Sequence, residues 1–236
     1  MFHVKHVAWE EVRRGVRDSA VVGFGVVPLG LAFGVLMTQS GFAWWWTPVF
    51  SLVIYAGSME FLALNMTLAA VGPLSALITG FMVNFRHIFY GLTFPRHLIR
   101  SRLGRGYSTY ALTDESYAIA SVSPAPSGTW LVTIQATCQI LWVTAGIVGA
   151  LTGVLIPADL LGLNFALTAL FVVLAYEAFA ASRDISSVLI AGLITAVSAV
   201  VAPHSILIVA LISYFAVLLA RFWNPRLDSA LRWERR

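Results

Sequence analysis

The chain has 236 residues, of which 59% are hydrophobic and 11% are charged. A soluble domain carries about 25% charged residues, so this composition excludes the soluble globular class. It predicts an all-α, polytopic helical membrane protein with about seven hydrophobic segments. The net charge of +4 comes mainly from basic clusters near both termini and in one central loop. That distribution is typical of chain facing the cytoplasm and gives no reason to expect a nucleic-acid partner.

Residues 1–18 form a charged segment with a loose apolar face, which predicts a cytoplasmic helix lying along the membrane surface. The first hydrophobic segment follows at 19–38. Its Gly30-x-x-x-Gly34 spacing fits close helix packing. Pro28 beside these glycines fits instead a broken helix whose freed backbone groups bind a solute, so Gly30 is a candidate solute-binding residue.

The second hydrophobic segment, 47–71, contains a run of small and polar residues that predicts a second broken helix near Tyr55–Ser58. Tyr55, Gly57 and Ser58 are therefore candidate solute-binding residues. Glu60 and Asn65 follow within the same segment. An acidic side chain at membrane depth is neutral or paired, so Glu60 is either a buried protonated hydrogen-bond donor or a group that handles solute or protons.

The third segment, 74–94, carries an amide, a guanidinium and an imidazole. Helical spacing places Gly80, Asn84, His87 and Gly91 on one stripe, which we expect to face a protein interior or a solute path. His87 is either a packing residue or a proton site, and no second ligand at suitable spacing supports a metal. Arg86 points away from this stripe and needs an aqueous cavity, the headgroup level or a partner.

Residues 95–128 are polar and carry four arginines, which predicts a cytoplasmic loop between the two halves of the chain. Thr113 is suited to cap a helix whose first turn holds Asp114 and Glu115. The alternative is that these two acids gate the protein or admit protons, for which pairing with arginines of the same loop is one route.

Segments four to seven are expected at 129–156, 160–181, 185–202 and 205–220. Glu177 lies near the predicted cytoplasmic end of the fifth segment. Its position is compatible with snorkelling to the membrane surface, with pairing to Arg183 or with a gating role. Residues 19–220 then make a single transmembrane transport domain, and 221–236 a basic cytoplasmic tail. Cys138 is the single cysteine, so we expect no intrachain disulfide, no cysteine-based metal site and no cofactor.

The two halves of the chain show a faint similarity. Residues 30–36 resemble 149–155, and 78–80 resemble 190–192, which suggests two inverted three-helix repeats followed by a C-terminal helix. The charges complicate this arrangement, because a cytoplasmic N-terminus and a cytoplasmic 96–105 loop require an even number of crossings between them. Three segments precede the loop, so either one of them is re-entrant or the N-terminus lies outside.

Four stretches carry a resemblance to a known family: 28–34, 55–61, 84–92 and 113–120. In order and spacing they resemble the AzlC/YgaZ family of large subunits of bacterial branched-chain amino-acid exporters. The resemblance implies a multi-pass protein of the bacterial cytoplasmic (inner) membrane and a separate, small AzlD/YgaH-type membrane partner. The chain departs from the family pattern at Glu60, where the pattern carries glutamine, so solute choice or proton coupling can differ here.

The leading hypothesis is a secondary exporter of branched-chain or similar hydrophobic amino acids, coupled to protons. Backbone N–H groups at a broken helix end can donate to the carboxylate of the solute. Its ammonium group needs an acceptor, and the candidates are Glu60, Asn65 and Asn84. Either His87 or Glu60 can carry the proton. Two other classes remain: a passive channel or a non-transporting assembly subunit, and an intramembrane enzyme that uses Ser58 with Glu60 or His87. The enzyme is the least supported, because no nucleophile motif is present, so we expect a non-enzyme.

Overall fold

A computed structural model describes residues 2–122, 127–155, 184–203 and 205–224, together with 172, 175–176, 179 and 228–229. In chain order its elements are α1 (Phe2–Gln39), α2 (Trp46–Val53), α3 (Gly57–Leu68), α4 (Pro73–Asn84), α5 (Arg86–Thr93), a 3₁₀ turn (Arg96–Leu98), α6 (Arg102–Tyr110), α7 (Asp114–Val122), α8 (Gly128–Gly153), α9 (Ile185–Val201) and α10 (Ile206–Trp223).

The described elements are helical, which confirms the predicted fold class. Within the described residues, three helical stretches are long and apolar enough to cross a membrane, namely Val22–Gln39, Gly128–Gly153 and Ile206–Trp223. The apolar helices α4 and α9 are shorter. The expected fifth segment, 160–181, lies almost entirely outside the described residues, as does Glu177.

The chain forms two compact units. The first comprises Met1–Asn65 and Asn84–Leu167, and the second comprises Met66–Val83 and Thr168–Arg236. The first unit contains α1, α2, most of α3 and α5 to α8. It therefore holds every predicted site residue except Glu177.

Helices α1 and α8 of the first unit pack side by side and run in the same direction. The indole Nε1 of Trp130, near the start of α8, donates to the carboxylate of Asp18 at 2.9 Å. At the other end the Gln39 amide donates to the carbonyl of Gly153 at 3.0 Å. The starts of both helices therefore lie on the same side of the unit.

This parallel packing bears on the position of the two basic regions. The backbone of Leu98 and Ile99, in the arginine-rich segment, lies against Gly128 at the start of α8. The charged N-terminal segment and the 96–105 segment are thus on the same side. The alternative in which the N-terminus lies outside, opposite the 96–105 segment, is therefore wrong. The chain therefore returns, between Gln39 at the end of α1 and Gly128 at the start of α8, to the side from which α1 began. The short helices α2 and α3 fit a re-entrant path within this stretch.

Glycines allow α1 and α8 to approach closely. A Cβ atom at Gly34 would lie 2.0 Å from the carbonyl oxygen of Gly146, and one at Gly149 would lie 2.1 Å from that of Leu31. Backbone therefore meets backbone along this interface, as in small-residue packing between membrane helices. The close-packing interpretation of Gly30 and Gly34 holds.

The predicted break at Pro28 is wrong, because α1 continues through this proline from Phe2 to Gln39. A proline inside a helix removes one backbone hydrogen bond but is tolerated in membrane helices when neighbouring elements support the backbone. Here the support comes from α8, which packs against Gly30 and Gly34 immediately after the proline. The same helix joins the charged segment 1–18 to the apolar segment without interruption.

The inverted relation suggested for 30–36 and 149–155 is also wrong. Equivalent helices of inverted repeats cross the membrane in opposite directions, whereas α1 and α8 run parallel. The two glycine-rich stretches resemble each other because they are the two faces of one interface and meet the same packing requirement.

The second unit contains a helical hairpin made by α9 and α10. Arg221, near the end of α10, donates to the carboxylate of Asp184 at 2.7 Å and to Asp228 at 2.8 Å, although its side chain is only 6% exposed. Asp184 also caps α9 by accepting from the backbone N–H of Ser186 at 3.0 Å. This ion-pair network joins the start of one helix to the end of the other, so the two run antiparallel.

Candidate functional site

Two interruptions in the helices meet in the first unit. One separates α2 from α3 at Ile54–Ala56, which confirms the predicted break near Tyr55. The other separates α6 from α7 at 111–113, in the segment expected to be a loop. The rings of Tyr55 and Tyr110 lie 5.7 Å apart, and the Tyr110 hydroxyl donates to the carbonyl of Leu52. The two breaks therefore contact each other directly.

Both breaks lie beside the middle of α8. The Gln139 amide donates to the Tyr110 hydroxyl at 2.9 Å and accepts from the Tyr107 hydroxyl at 2.8 Å. Trp142 packs its ring against Gly57 at the start of α3. The helix α8 is long and apolar enough to cross a membrane, and breaks beside the middle of such a helix are typical of solute sites in membrane transporters.

A cavity of about 250 Å³ opens at these breaks. Its lining includes the predicted residues Tyr55, Asn84 and His87. The other lining residues are Ile54, Ala56, Gly91, Arg96, Thr109, Tyr110 and Leu112. We call this space the large cavity. It combines a guanidinium, an imidazole and an amide with an apolar wall, which is the composition of a small-molecule site.

Two polar groups in the large cavity are positioned by the turn between α4 and α5. The Nδ1 atom of His87 lies 3.2 Å from the backbone carbonyl of Asn84. The side-chain oxygen of Asn84 is buried and has no hydrogen-bond partner among the described residues. A buried acceptor of this kind is unfavourable unless a ligand or water satisfies it. Arg96 is held by bonds to Thr109 at 2.7 Å and to the Gly91 carbonyl at 3.2 Å.

A second, small cavity of about 30 Å³ shares Tyr55 with the large cavity. The predicted residues Tyr55, Gly57 and Glu115 line it. The remaining lining residues are Val26, Thr113, Cys138 and Trp142. Tyr55 thus belongs to both cavities. Its φ of +41° lies in the left-handed region, which is unfavourable for an aromatic residue.

Glu60 is completely buried but lines neither cavity. Its carboxylate accepts from the Ser51 hydroxyl at 2.7 Å and from the Trp142 indole at 2.9 Å. It therefore ties α2 and α3 to α8. These two contacts fit either an accepting carboxylate or a protonated carboxyl that donates to Ser51, because a hydroxyl can donate or accept.

Arg86 and Asp114 form a bidentate ion pair between α5 and α7. Arg86 Nε donates to Oδ1 at 2.9 Å, and its terminal nitrogen donates to Oδ2 at 2.6 Å. The ring of Tyr90 stacks on Tyr117 at 4.3 Å beside this pair. Two of the four stretches that carry the family resemblance, 84–92 and 113–120, are thus joined to each other. Asp114 is thus a partner for Arg86, which is one of the three environments expected for this arginine.

Replacing Asp114 with asparagine is expected to lower the free energy of unfolding by about 1 kcal/mol, since the pair is more than one-third exposed and partly screened. Burial acts to raise the pKa of Asp114, but hydrogen bonds and charge from Arg86 outweigh it and hold the pKa below its ordinary value. The stabilisation that Asp114 contributes is therefore present above the ordinary pKa of a carboxyl group. It is lost as the pH falls through the lowered pKa of Asp114 in the folded protein. Thermal unfolding in detergent from neutral to acidic pH measures it. If the wild type remained more stable than Asp114→Asn at acidic pH, the ion pair would not be the source of the difference.

The remaining predicted residues lie outside the cavities. Gly30 packs on Ala145 of α8, and the Asn65 amide donates to the carbonyl of Phe61 within its own helix at 3.2 Å. The Ser58 hydroxyl is buried without a hydrogen-bond partner among the described residues. It therefore makes no hydrogen bond there to Glu60 or His87, the bases on which an intramembrane enzyme would depend.

Sequence reasoning missed several residues of the site, including Arg96, Tyr110, Thr113 and Trp142. Most of them lie in the segment interpreted as a loop. The fourth hydrophobic segment contains one sequence signal that the 95–128 segment is buried. Gln135 and Gln139 are amides four residues apart in an apolar helix, and both bond to α6, at the Ser108 carbonyl and the tyrosine hydroxyls. Amides on one face of an apolar helix indicate that a polar element packs there.

Comparison with known proteins identifies relatives of the chain. The sequence model of the family described as "AzlC protein" matches residues 21–156. The Branched-chain amino acid transport protein AzlC of Bacillus subtilis (strain 168) is 31% identical over 173 residues, covering 72% of this chain and 68% of the relative. The Inner membrane protein YgaZ of Escherichia coli (strain K12) is 27% identical over 227 residues, covering 91% and 92%. No solved structure matches.

The family match coincides with the site. Residues 21–156 include both cavities, the two helix breaks and the ion pair between Arg86 and Asp114. An uncharacterized membrane protein of Haemophilus influenzae is also 30% identical over 84% of this chain and 83% of its own length. The chain is therefore a membrane protein that belongs to the AzlC family.

Proposed function

We propose that this protein exports branched-chain or similar hydrophobic amino acids across the bacterial cytoplasmic membrane. The observation that carries the proposal is the large cavity at the meeting point of two helix breaks, beside the middle of a membrane-spanning helix. A relative in Bacillus subtilis is named as a branched-chain amino acid transport protein, which supports this class of solute.

The lining of the large cavity suits a zwitterion with an aliphatic side chain. Arg96 provides donors for the carboxylate, and the unsatisfied oxygen of Asn84 provides an acceptor for the ammonium. Ile54, Ala56 and Leu112 provide the apolar wall. A volume of about 250 Å³ lies just below the usual range for drug-sized ligands and suits a smaller solute.

The position of the large cavity supports loading from the cytoplasm. Arg96 lines it from the turn that packs against the start of α8, and Tyr110 lines it beside the middle of α8. The side at the start of α8 also carries the basic N-terminal segment, and basic segments favour the cytoplasm. The C-terminal tail is assigned to the same compartment from its arginines.

The ion pair of Arg86 and Asp114 suits a gate. It joins α5 to α7, the two helices that follow Asn84 and the 111–113 break. Opening the pair exposes both charged groups to water at modest cost, because each side chain is already more than one-third exposed. We infer that the proton gradient drives the cycle and that a small AzlD/YgaH-type membrane subunit assists it.

Efflux of radiolabelled amino acids from bacterial cells that lack their own exporter tests the proposal. Cells expressing this chain with the small partner should release leucine, isoleucine, valine or methionine several times faster than cells with the empty vector. Lysine and glutamate efflux should not change. Efflux that is fast but insensitive to collapse of the proton gradient would indicate a passive channel. Absence of efflux with and without the partner would contradict the proposal.

A further inference from the structure

We propose that the small cavity is a separate proton site and that Glu115 is the residue that binds the transported proton. This inference rests on the proposed function, since it assigns the coupled proton of an amino-acid exporter. It places the proton and the amino acid in two different cavities that share Tyr55 in their linings.

The small cavity is a polar site rather than a packing defect. Its volume of about 30 Å³ is enough for about two water molecules. Thr113 lines it, is only 7% exposed, and its hydroxyl is buried without a hydrogen-bond partner among the described residues. A buried hydroxyl without a partner is unfavourable, and a water molecule in the cavity would satisfy it. Such water can deliver a proton to the carboxylate beside it.

Glu115 is the carboxyl group best placed to take this proton. Asp114 is held by two bonds to Arg86, and Glu60 is held by Ser51 and Trp142. Neither of them lines the small cavity, whereas Glu115 does. Glu115 also forms no ion pair with a described residue.

The groups that face Glu115 come from each neighbouring element. They are Tyr55 at the α2–α3 break, Glu60 on α3, Arg86 on α5, Asp114 on α7 itself and Cys138 on α8. The paired charges of Arg86 and Asp114 largely compensate each other.

Tyr55 is suited to link the two cavities. Its side chain belongs to both linings, and its backbone is held in an unfavourable conformation by burial against Tyr110. A change at this break on amino-acid binding would alter access to Glu115. In export the proton moves from water outside to Glu115 and then to cytoplasmic water, so only O–H bonds are exchanged while the amino acid moves outward.

Proteoliposomes with wild-type protein, and with the small partner if the wild type requires it, test this assignment. Two activities of radiolabelled leucine are compared: exchange against internal leucine without a gradient, and accumulation driven by an acidic vesicle interior. Glu115→Gln is expected to reduce accumulation at least tenfold while exchange stays within about twofold of wild type. Glu115→Asp keeps a carboxyl group and should retain accumulation with a shifted pH dependence.

Glu60→Gln is the matched control, because it makes the same substitution at a buried carboxyl that lines neither cavity. It should retain the wild-type ratio of accumulation to exchange. Gradient-driven accumulation by Glu115→Gln, or an equal loss of both activities in that variant, overturns the assignment while the proposed function stands. A wild-type protein that shows neither activity overturns the proposed function itself.

Discussion

Replacing Gly91 with leucine is expected to reduce leucine transport by about tenfold or more, which corresponds to about 1.4 kcal/mol or more of lost binding. Gly91 lines the large cavity, and a Cβ atom at this position would meet nothing within 4 Å. The added side chain would therefore occupy the space proposed for the solute instead of displacing protein atoms. Leucine is also a better helix former than glycine, so α5 should not be weakened.

Gly106→Leu is the matched control for this substitution. Gly106 lies on the exposed face of α6, a Cβ atom there also meets nothing within 4 Å, and it lines neither cavity. Both variants should unfold near the wild-type temperature, but leucine should raise the unfolding temperature only of the wild type and the control. Wild-type transport by Gly91→Leu would show that the large cavity is not the solute site.

A large loss of stability is expected from Gly149→Ala, at about 2–3 kcal/mol, because overpacking against immobile atoms carries a penalty of this size. A Cβ atom at Gly149 would lie 2.1 Å from the carbonyl oxygen of Leu31 and 2.8 Å from its Cα. Those are backbone atoms, so the contact is relieved only by separating α1 from α8. Thermal unfolding in detergent should show the unfolding temperature lowered by about 5–10 °C.

Gly25→Ala controls for the general effect of replacing a glycine in a helix. Gly25 lies on α1, and a Cβ atom there meets nothing within 4 Å. This variant should be as stable as the wild type or slightly more so, since alanine favours the helix by up to about 1 kcal/mol. Equal stabilities of the two variants would mean that α1 and α8 do not pack through Gly149.

The helical membrane class and the break at Tyr55 were predictable from the sequence. Both follow from local properties, namely the length of apolar runs and a cluster of small and polar residues inside one of them. Pro28 shows the limit of local signals. The proline and its glycines predict a break, but packing against α8 keeps α1 helical, and that packing is a tertiary property.

The site was predictable only in part, for a related reason. The stripe of Asn84 and His87 was identified by helical spacing, and both residues line the large cavity. Tyr110 and Thr113 were assigned to a loop because their segment is polar and rich in arginine. In the structure this segment folds back along α8, held by Gln139. A loop that returns into the protein leaves little trace in hydropathy, because its polar groups are satisfied by other side chains rather than by water.

Contact between backbone atoms along α1 and α8 has a mechanical consequence. Two helices that meet through glycines and carbonyl oxygens cannot slide or rotate past each other without clashing. If the proposed transport function holds, we expect this pair to stay fixed and the movements to fall to the short helices on either side of Tyr55 and of residues 111–113. Access can then alternate through hinges at these two interruptions while the long pair keeps its position in the bilayer.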